Sequence, residues 1–299
     1  MNKRTILLTG GTGFLGSYLA KRFVNEGYKV VILKRSFSNT FRIKDLIDEN
    51  KIISYDIDKV SLEKAFLENR INIVIHTATN YGRNQEKKSE IVNDNIVFPL
   101  KLLEIATFFN TDTFFNTDTI LYKYLSDYSL SKKQFLEWAK LFSNKIKIVN
   151  MKLQHLYGPK DDEKKFVIWL IKKMIENKED IRLTKGEQLR NFIYIDDVVD
   201  AYITVLNNLA KLSNYNEFDV GSKRSIRIKD FVLKVKKILT EYFNMDVKVK
   251  LLFGALKYRE GEFFKIKFDN KKIRALGWDD KVSLEEGLKK TIKEIILNI

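Results

Sequence analysis

Cysteine is absent from all 299 residues, which excludes disulfides, thiol catalysis and cysteine-ligated zinc. No metal site is expected. No apolar run approaches the ~18 to 20 residues that crossing a bilayer requires, and Met1-Asn2-Lys3-Arg4 leads straight into a strand rather than a signal-peptide core. A cytoplasmic chain with no membrane partner is therefore expected. Proline occurs only twice in this Lys-, Ile- and Asn-rich sequence, a compositional bias without functional content. Long basic blocks are missing as well. The net charge of +15 invites a nucleic-acid surface, but the lysines fall in scattered pairs (Lys87-Lys88, Lys132-Lys133, Lys172-Lys173, Lys236-Lys237, Lys271-Lys272, Lys289-Lys290) with acids between them. Solvated helix faces, some helping to attract an anionic substrate, account for that charge, and no nucleic-acid partner is expected. There is also no internal repeat and no low-complexity linker.

What the chain does have is 44% apolar residues, enough to fill one large α/β domain with an appended lobe. Its organising stretch is Ile6-Leu7-Leu8-Thr9-Gly10-Gly11-Thr12-Gly13-Phe14-Leu15-Gly16. A short apolar run, a glycine-rich turn and then Phe14, Leu15, Leu19 and Phe23 at helical spacing predict a buried strand feeding a helix. Gly10 allows a tight turn, Gly13 removes a Cβ that would hold a pyrophosphate off the backbone, and Gly16 permits close helix packing. Phosphates would then rest on unpaired amides at a helix N-terminus. The second strand, Tyr28 to Leu33, ends in Lys34-Arg35-Ser36. Lys34 lies eighteen positions after Gly16, where an NAD site presents an acid to the ribose and an NADP site a cation. NADP(H) is the expected cofactor; the alternative is that Lys34 and Arg35 simply face solvent.

Further strands are expected at Ile52 to Ile57, Ile71 to Ala78 and Thr113 to Thr119. Asp56 either serves the cofactor or caps a helix near Ser61, and His76, inside an apolar strand, is read as a core histidine. The polar loop Thr79-Asn80-Tyr81-Gly82-Arg83 follows a strand's carboxyl end, where open α/β sheets bind ligands. Tyr81 and Arg83 are substrate-contact candidates there. Tyr128 and Lys132 stand four apart on an expected helix, so both face one groove. A nearby ammonium, joined by an oxidised nicotinamide, would favour the tyrosinate and let Tyr128 exchange a proton near neutral pH.

Taken together, the glycine turn, Thr117, Tyr128 and Lys132 resemble the catalytic pattern of extended short-chain dehydrogenases/reductases acting on nucleotide sugars. The resemblance runs on through Gln154-His155-Leu156-Tyr157-Gly158-Pro159, Arg190-Asn191-Phe192-Ile193-Tyr194-Ile195-Asp196-Asp197, Phe218-Asp219-Val220-Gly221-Ser222, Arg259-Glu260-Gly261-Glu262 and Leu276-Gly277-Trp278. It implies a Rossmann-type doubly wound parallel sheet with a smaller interleaved C-terminal α/β substrate lobe. The cofactor domain would be residues 1–154 with a return segment at about 191–212, and the nucleotide-sugar lobe 155–190 and 213–299. It adds Thr12, Phe14, Leu15, Ser36, Asp56, Ile57, Thr77, Ala78, Thr79 and His155 to the cofactor site, and Asn80, Thr119, His155, Arg190 and Arg259 to the substrate site. Asn95 is either a tether of the active-site backbone or a helix cap. Asp118 either binds a sugar hydroxyl or is a strand-end hydrogen-bond partner. Arg190 either grips a diphosphate or pairs with Asp196, Asp197 or Asp200.

Within that family, 4,6-dehydratases carry Thr-Asp-Glu where this chain has Thr117-Asp118-Thr119, so the dehydration base is missing. Tyr128 follows Thr117 by only eleven positions, a trimmed loop that fits a sugar held in one orientation. The motifs are similar to those of CDP-abequose and CDP-paratose synthases, C4-ketoreductases of NDP-4-keto-6-deoxysugars, whose deoxysugars enter surface polysaccharide such as lipopolysaccharide or capsule. A tightly NAD(P)-bound 4-epimerase and a noncatalytic NADP-binding protein are the alternatives. Large apolar residues on the helices near Asn95 and Tyr128 (Leu102, Phe108, Phe109; Phe135, Trp138, Phe142) suggest either a homodimer through a four-helix bundle or a buried core.

Overall fold

In Ile6, Leu7 and Leu8 neither face of the strand meets solvent, as befits a parallel strand covered by helices on both sides. The computed structural model describes residues 4–259 and 261–298; Met1, Asn2, Lys3 and Glu260, used in the readings above, lie outside the described residues. The chain forms two units, Met1–Leu153 with Tyr202–Asp219, and Gln154–Ala201 with Val220–Ile299.

The first unit holds β1 (Thr5–Thr9), α1 (Phe14–Asn25), β2 (Lys29–Lys34), α2 (Lys44–Asp48), β3 (Ile53–Asp56), α3 (Leu62–Glu68), β4 (Ile73–His76), α4 (Lys88–Val92), α5 (Phe98–Phe108), β5 (Thr113–Thr119), α6 (Asp127–Lys140) and β6 (Lys147–Leu153). Strand Tyr215–Val220 completes a seven-stranded sheet in the order Tyr215–Val220, β6, β5, β4, β1, β2, β3. Adjacent pairs from β6 to β3 run parallel. The order reverses beside β1, so the crevice between the carboxyl ends of β1 and β4 is the topological switch point where such sheets bind ligands. Leu7, Val74, Phe114 and Ile148 from the sheet meet Leu102, Leu103, Ala106, Phe135 and Ala139 from the helices in one buried cluster.

Between α4 and α5 the helix widens into a π segment, Asn93–Val97, in which the Phe98 amide bonds to the Asn93 carbonyl five residues back. Pro99 stands at the start of α5. Lacking an N–H and crowding the carbonyl one turn earlier, it disfavours a regular turn over residues 95–99, and the wide turn relieves that conflict.

The second unit contains two short parallel pairs, His155–Tyr157 with Phe192–Tyr194 and Ile181–Leu183 with Leu251–Phe253, among helices that include Phe166–Glu176, Ile228–Lys237 and Leu284–Leu297. Phe192 stacks on Phe231 with centroids 4.1 Å apart. The expected return segment at about 191–212 thus opens on a strand, Phe192–Tyr194, that does not join the main sheet. That segment pairs with His155–Tyr157, and the strand that rejoins the large sheet is Tyr215–Val220, whose Phe218 and Val220 are buried. Helix Ile195–Asn207 carries the chain between units, Ala201 closing a segment of the second and Tyr202 opening one of the first.

Candidate active site

Gly10, just past the end of β1, has φ +68°, and a Cβ there would lie 2.6 Å from the Ala78 amide nitrogen, so only glycine fits this turn. A Cβ on Gly16 would sit 2.1 Å from the Gly10 carbonyl oxygen, which locks the first turn of α1 against the loop. Gly13 occupies the N-cap position of α1 without a side-chain cap, and the first turn contains no acid. Its positive end therefore faces the switch-point crevice uncompensated, a backbone cradle that suits a pyrophosphate. Phe14 is buried, while Thr12 and Leu15 are partly exposed.

The carboxyl end of β2 differs from expectation. Register sets Lys34 opposite Asp56 on β3, and the two side chains form an ion pair. Asp56 is therefore no helix cap; Ser61 occupies that position for α3. Ser36 gives its amide (2.7 Å) and hydroxyl (2.6 Å) to Asp58. Ile57 donates its amide to the Lys34 carbonyl. Two guanidinium groups also stand here, Arg35 lying 4.9 Å from the Phe37 ring centroid and Arg42 4.4 Å from that of Phe41. Arg42 also reaches the Thr12 carbonyl oxygen at 3.5 Å. It belongs to no motif, and nothing in the sequence announced it.

Beyond β4 the loop is fixed by side chains. Thr77 donates its hydroxyl to the Thr9 carbonyl at 2.8 Å, and the Ala78 amide bonds to the Thr9 hydroxyl. The π segment turns Asn95 inward without solvent exposure. Its Oδ1 accepts from the Asn80 amide (2.7 Å) and the Thr79 hydroxyl (3.1 Å), and its Nδ2 donates to the Asn80 carbonyl (2.8 Å) and Ser131 Oγ (2.9 Å). Lying inside a continuous helix, Asn95 is no cap. Asn80 is correspondingly occupied, since its Nδ2 donates to Asp94 and its Oδ1 accepts from the Gly82 amide. His76 is wholly buried among Phe98, Phe114 and Phe135. Burial and the neighbouring Lys132 ammonium hold its pKa far down, as expected of a neutral core histidine.

Helix α6 opens on a Ser126 cap that accepts from the Ser129 amide, placing Tyr128 in its first turn and Lys132 one turn further, as the spacing predicts. The Tyr81 ring lies 4.9 Å from that of Tyr128, and the Arg83 guanidinium caps Tyr81 at 4.5 Å. Burial, the Tyr81 phenol and the Asp118 carboxylate push the Tyr128 pKa well up, against weaker opposition from the Thr119 hydroxyl bond and Arg83. Lys132 is not among the groups that shift it in the chain without cofactor. Lys132 is 1% exposed, its amine is directed at Asn116 Oδ1, 3.5 Å away, and burial lowers it to about 8.

The two threonine hydroxyls at the end of β5 have different partners. Thr117 is engaged by Tyr202 at 2.7 Å, and Thr119 is the residue that hydrogen-bonds Tyr128. Asp118 is buried and fully used, accepting from the Thr119 amide on Oδ1 and from Lys133 and Asn150 on Oδ2. Among the described residues no group of three or more His, Asp and Glu side chains could hold a metal.

His155, Arg190 and Arg259 belong to the second unit. His155 Nδ1 is buried without a hydrogen-bond partner, and burial together with Arg190 and Lys165 lowers the ring to about 4. Arg190 pairs with Glu262, not with the three aspartates anticipated, and donates to the Phe263 carbonyl at 2.8 Å. Arg259 is exposed.

Residues 6–221 match one family throughout. The chain belongs to the NAD dependent epimerase/dehydratase family. Among curated members it is 34% identical to a CDP-abequose synthase of Salmonella muenchen, covering 98% of each chain. It is 29% identical to the CDP-abequose synthase of Salmonella typhimurium, over 98% of this chain and 99% of that one. Among solved structures, the UDP-glucuronic acid 4-epimerase of Bacillus cereus in complex with UDP-glucuronic acid and NAD superposes with a TM-score of 0.81 at 23% identity, covering 99% of this chain and 100% of that one. That likeness establishes the fold that this family shares. Among the described residues no helix is long and apolar enough to cross a membrane.

Proposed function

We propose that the chain is an NADPH-dependent C4-ketoreductase of an NDP-4-keto-6-deoxysugar. The observation that carries this reading is the pairing of Tyr128 and Lys132 on the first turns of α6, in the same unit as a glycine cradle at the topological switch point. The family and the CDP-abequose synthase relatives support it. Gly10 to Gly16 would hold the pyrophosphate, Arg35 and Arg42 a 2′-phosphate, and Lys132 the nicotinamide ribose. NADPH, when bound, supplies a hydride. Burial keeps Tyr128 protonated, so its phenol is an acid ready to give its proton to the alkoxide formed at C4, and Thr119 orients it.

His155, Arg190 and Arg259 are the proposed contacts to the sugar nucleotide. Arg190 would exchange or share Glu262 when a diphosphate arrives. Solvent-exposed Val97, Phe108, Trp138 and Leu141 on the helices around α5 and α6 form an apolar surface that suits a four-helix homodimer; Leu102 and Phe135 instead fill the core, with Phe109 and Phe142 packed against it.

The test is to generate 4-keto-6-deoxy sugars on CDP, dTDP, GDP and UDP, add NADPH, and follow loss of nicotinamide absorbance and product stereochemistry. Stoichiometric oxidation is expected with one of them. Tyr128→Phe should lower turnover at least a hundredfold while leaving NADPH affinity within about twofold; unchanged turnover would remove the assignment. Epimer formation without NADPH consumption would establish the 4-epimerase alternative, which the fold likeness to epimerases favours.

A further inference from the structure

Beneath Lys132 runs a polar chain that the proposed reaction does not itself require. Asn116 and Asn150 are register partners on β5 and β6, both without solvent exposure in strands that are buried along most of their length. Asn150 Nδ2 donates to Asp118 Oδ2 at 3.1 Å and approaches Glu217 Oε2 at 3.5 Å. Its Oδ1 accepts from Asn116 Nδ2 at 2.8 Å. Asn116 Oδ1 is thereby left facing the Lys132 amine at 3.5 Å.

The direction of this chain is forced. A carboxylate only accepts, so Asn150 must present its NH2 group to Asp118; its oxygen then takes the Asn116 NH2 group, and an oxygen is delivered to Lys132. Lys133, which closes the far end by donating to Asp118 Oδ2 at 2.8 Å, holds the carboxylate in place.

We propose that Asp118 is a positioning residue that acts through Asn150 and Asn116 to orient an acceptor beneath Lys132 and keep that amine protonated. The role of Lys132 in cofactor binding rests on the function proposed above; the network itself does not. The charged or ionisable groups around Lys132 are His76 from β4, neutral through burial, Asp118 from β5, Lys133 from its own helix, and protonated Tyr128 one turn earlier. Of these only Asp118 favours the ammonium; burial and Lys133 oppose it. The same carboxylate also opposes ionisation of Tyr128, so one buried acid holds both partners in their protonated forms, as a proton donor needs.

The test is a pH titration of the full chain carrying 13C-labelled lysine, with the Lys132 resonance identified by its loss in Lys132→Met. Asp118→Asn and Asn150→Leu should each lower the Lys132 midpoint by about one pH unit, roughly a tenfold fall in the ratio of ammonium to free amine at a fixed pH. Asn116→Leu serves if either variant fails to fold. A midpoint unmoved in all folded variants overturns the proposal. So does a midpoint that moves with Asp118→Asn alone, since the carboxylate would then act through space and not through the amides. NADPH binding measured on the same samples separates the two readings: a midpoint that moves in a protein unable to bind NADPH upholds the network and rejects the reductase.

Discussion

Lys132 carries its charge where the fold disfavours one, and that conflict has a measurable size. Its pKa falls from the ordinary 10.5 to about 8 through burial, and with the side chain 1% exposed there is little solvent screening to discount. At ~1.36 kcal/mol per unit, the native state gives up about 3 kcal/mol by holding the ammonium. The folded value lies below the unfolded one, so the native protein binds this proton more weakly. The destabilisation is fully present below about pH 8, fades as pH climbs toward 10.5, and is gone above it.

Replacing Lys132 with Met removes the titration. The stability of the variant minus that of wild type should therefore fall by about 2 kcal/mol between pH 7 and pH 9.5, on the order of 4 °C in Tm for a chain of this size. Asn116 Oδ1 loses its Lys132 partner in the variant, but that loss is independent of pH and cancels from the comparison. Urea or thermal unfolding at the two pH values reads the difference. A difference that stays constant, or a variant that gains on wild type toward alkaline pH, would refute the reasoning.

Four other substitutions probe separate parts of the structure. Gly16→Ala drives a Cβ into the Gly10 carbonyl and should lower stability by roughly 3 kcal/mol while abolishing NADPH binding; wild-type affinity at normal Tm would contradict the packing. Asn95→Ala removes the three tethers of the 79–80 loop and the bond to Ser131, so the amides of Asn80 and Gly82 should exchange with solvent at least tenfold faster by hydrogen-exchange mass spectrometry, with stability reduced by about 2 kcal/mol. Arg42→Ala should weaken NADPH at least tenfold and NADH by less than twofold, compared by fluorescence titration, because only the former carries the extra phosphate. Trp138→Asp should turn a dimer into a monomer in sedimentation velocity without changing NADPH affinity; a wild-type chain that is already monomeric removes the four-helix interface.

The architecture was largely legible because its signals are local. Apolar runs broken by a glycine turn specify β1 and α1, and β5 spans the expected Thr113 to Thr119 stretch. Partner choice is a different matter. Phe192-Ile193-Tyr194 reads as a buried strand whichever sheet receives it, and nothing within three residues says that His155–Tyr157 will pair with it. Lys34 looked available for a phosphate because its pairing with Asp56 depends on the register between β2 and β3.

Thr117 and Thr119 alternate onto the same side of one strand, so each was a reasonable candidate for the active-site hydroxyl. Tyr202, from a helix far along the chain, occupies the first and leaves the second to Tyr128. A helix cap for Asn95 assumed that a helix begins there; the wide turn that Pro99 induces is invisible to a 3.6-residue pattern. The asparagines at 116 and 150 were the one long-range feature with a readable trace, two uncharged polar side chains in strands otherwise committed to burial.

The wide turn also bears on how this region can change. Each residue advances an α-helix by about 100°, so the extra residue in Asn93–Val97 resets the phase of everything after it. Before the reset, Ile91 packs inward; after it, Leu102, Leu103 and Ala106 do. A single deletion here would straighten the helix and rotate Asn95 off the loop that it holds, or else swing the α5 stripe out of the core. Insertions and deletions at this point should be tolerated far less than at the surface on either side, and any homologue of different length here must have found another anchor for the backbone after β4.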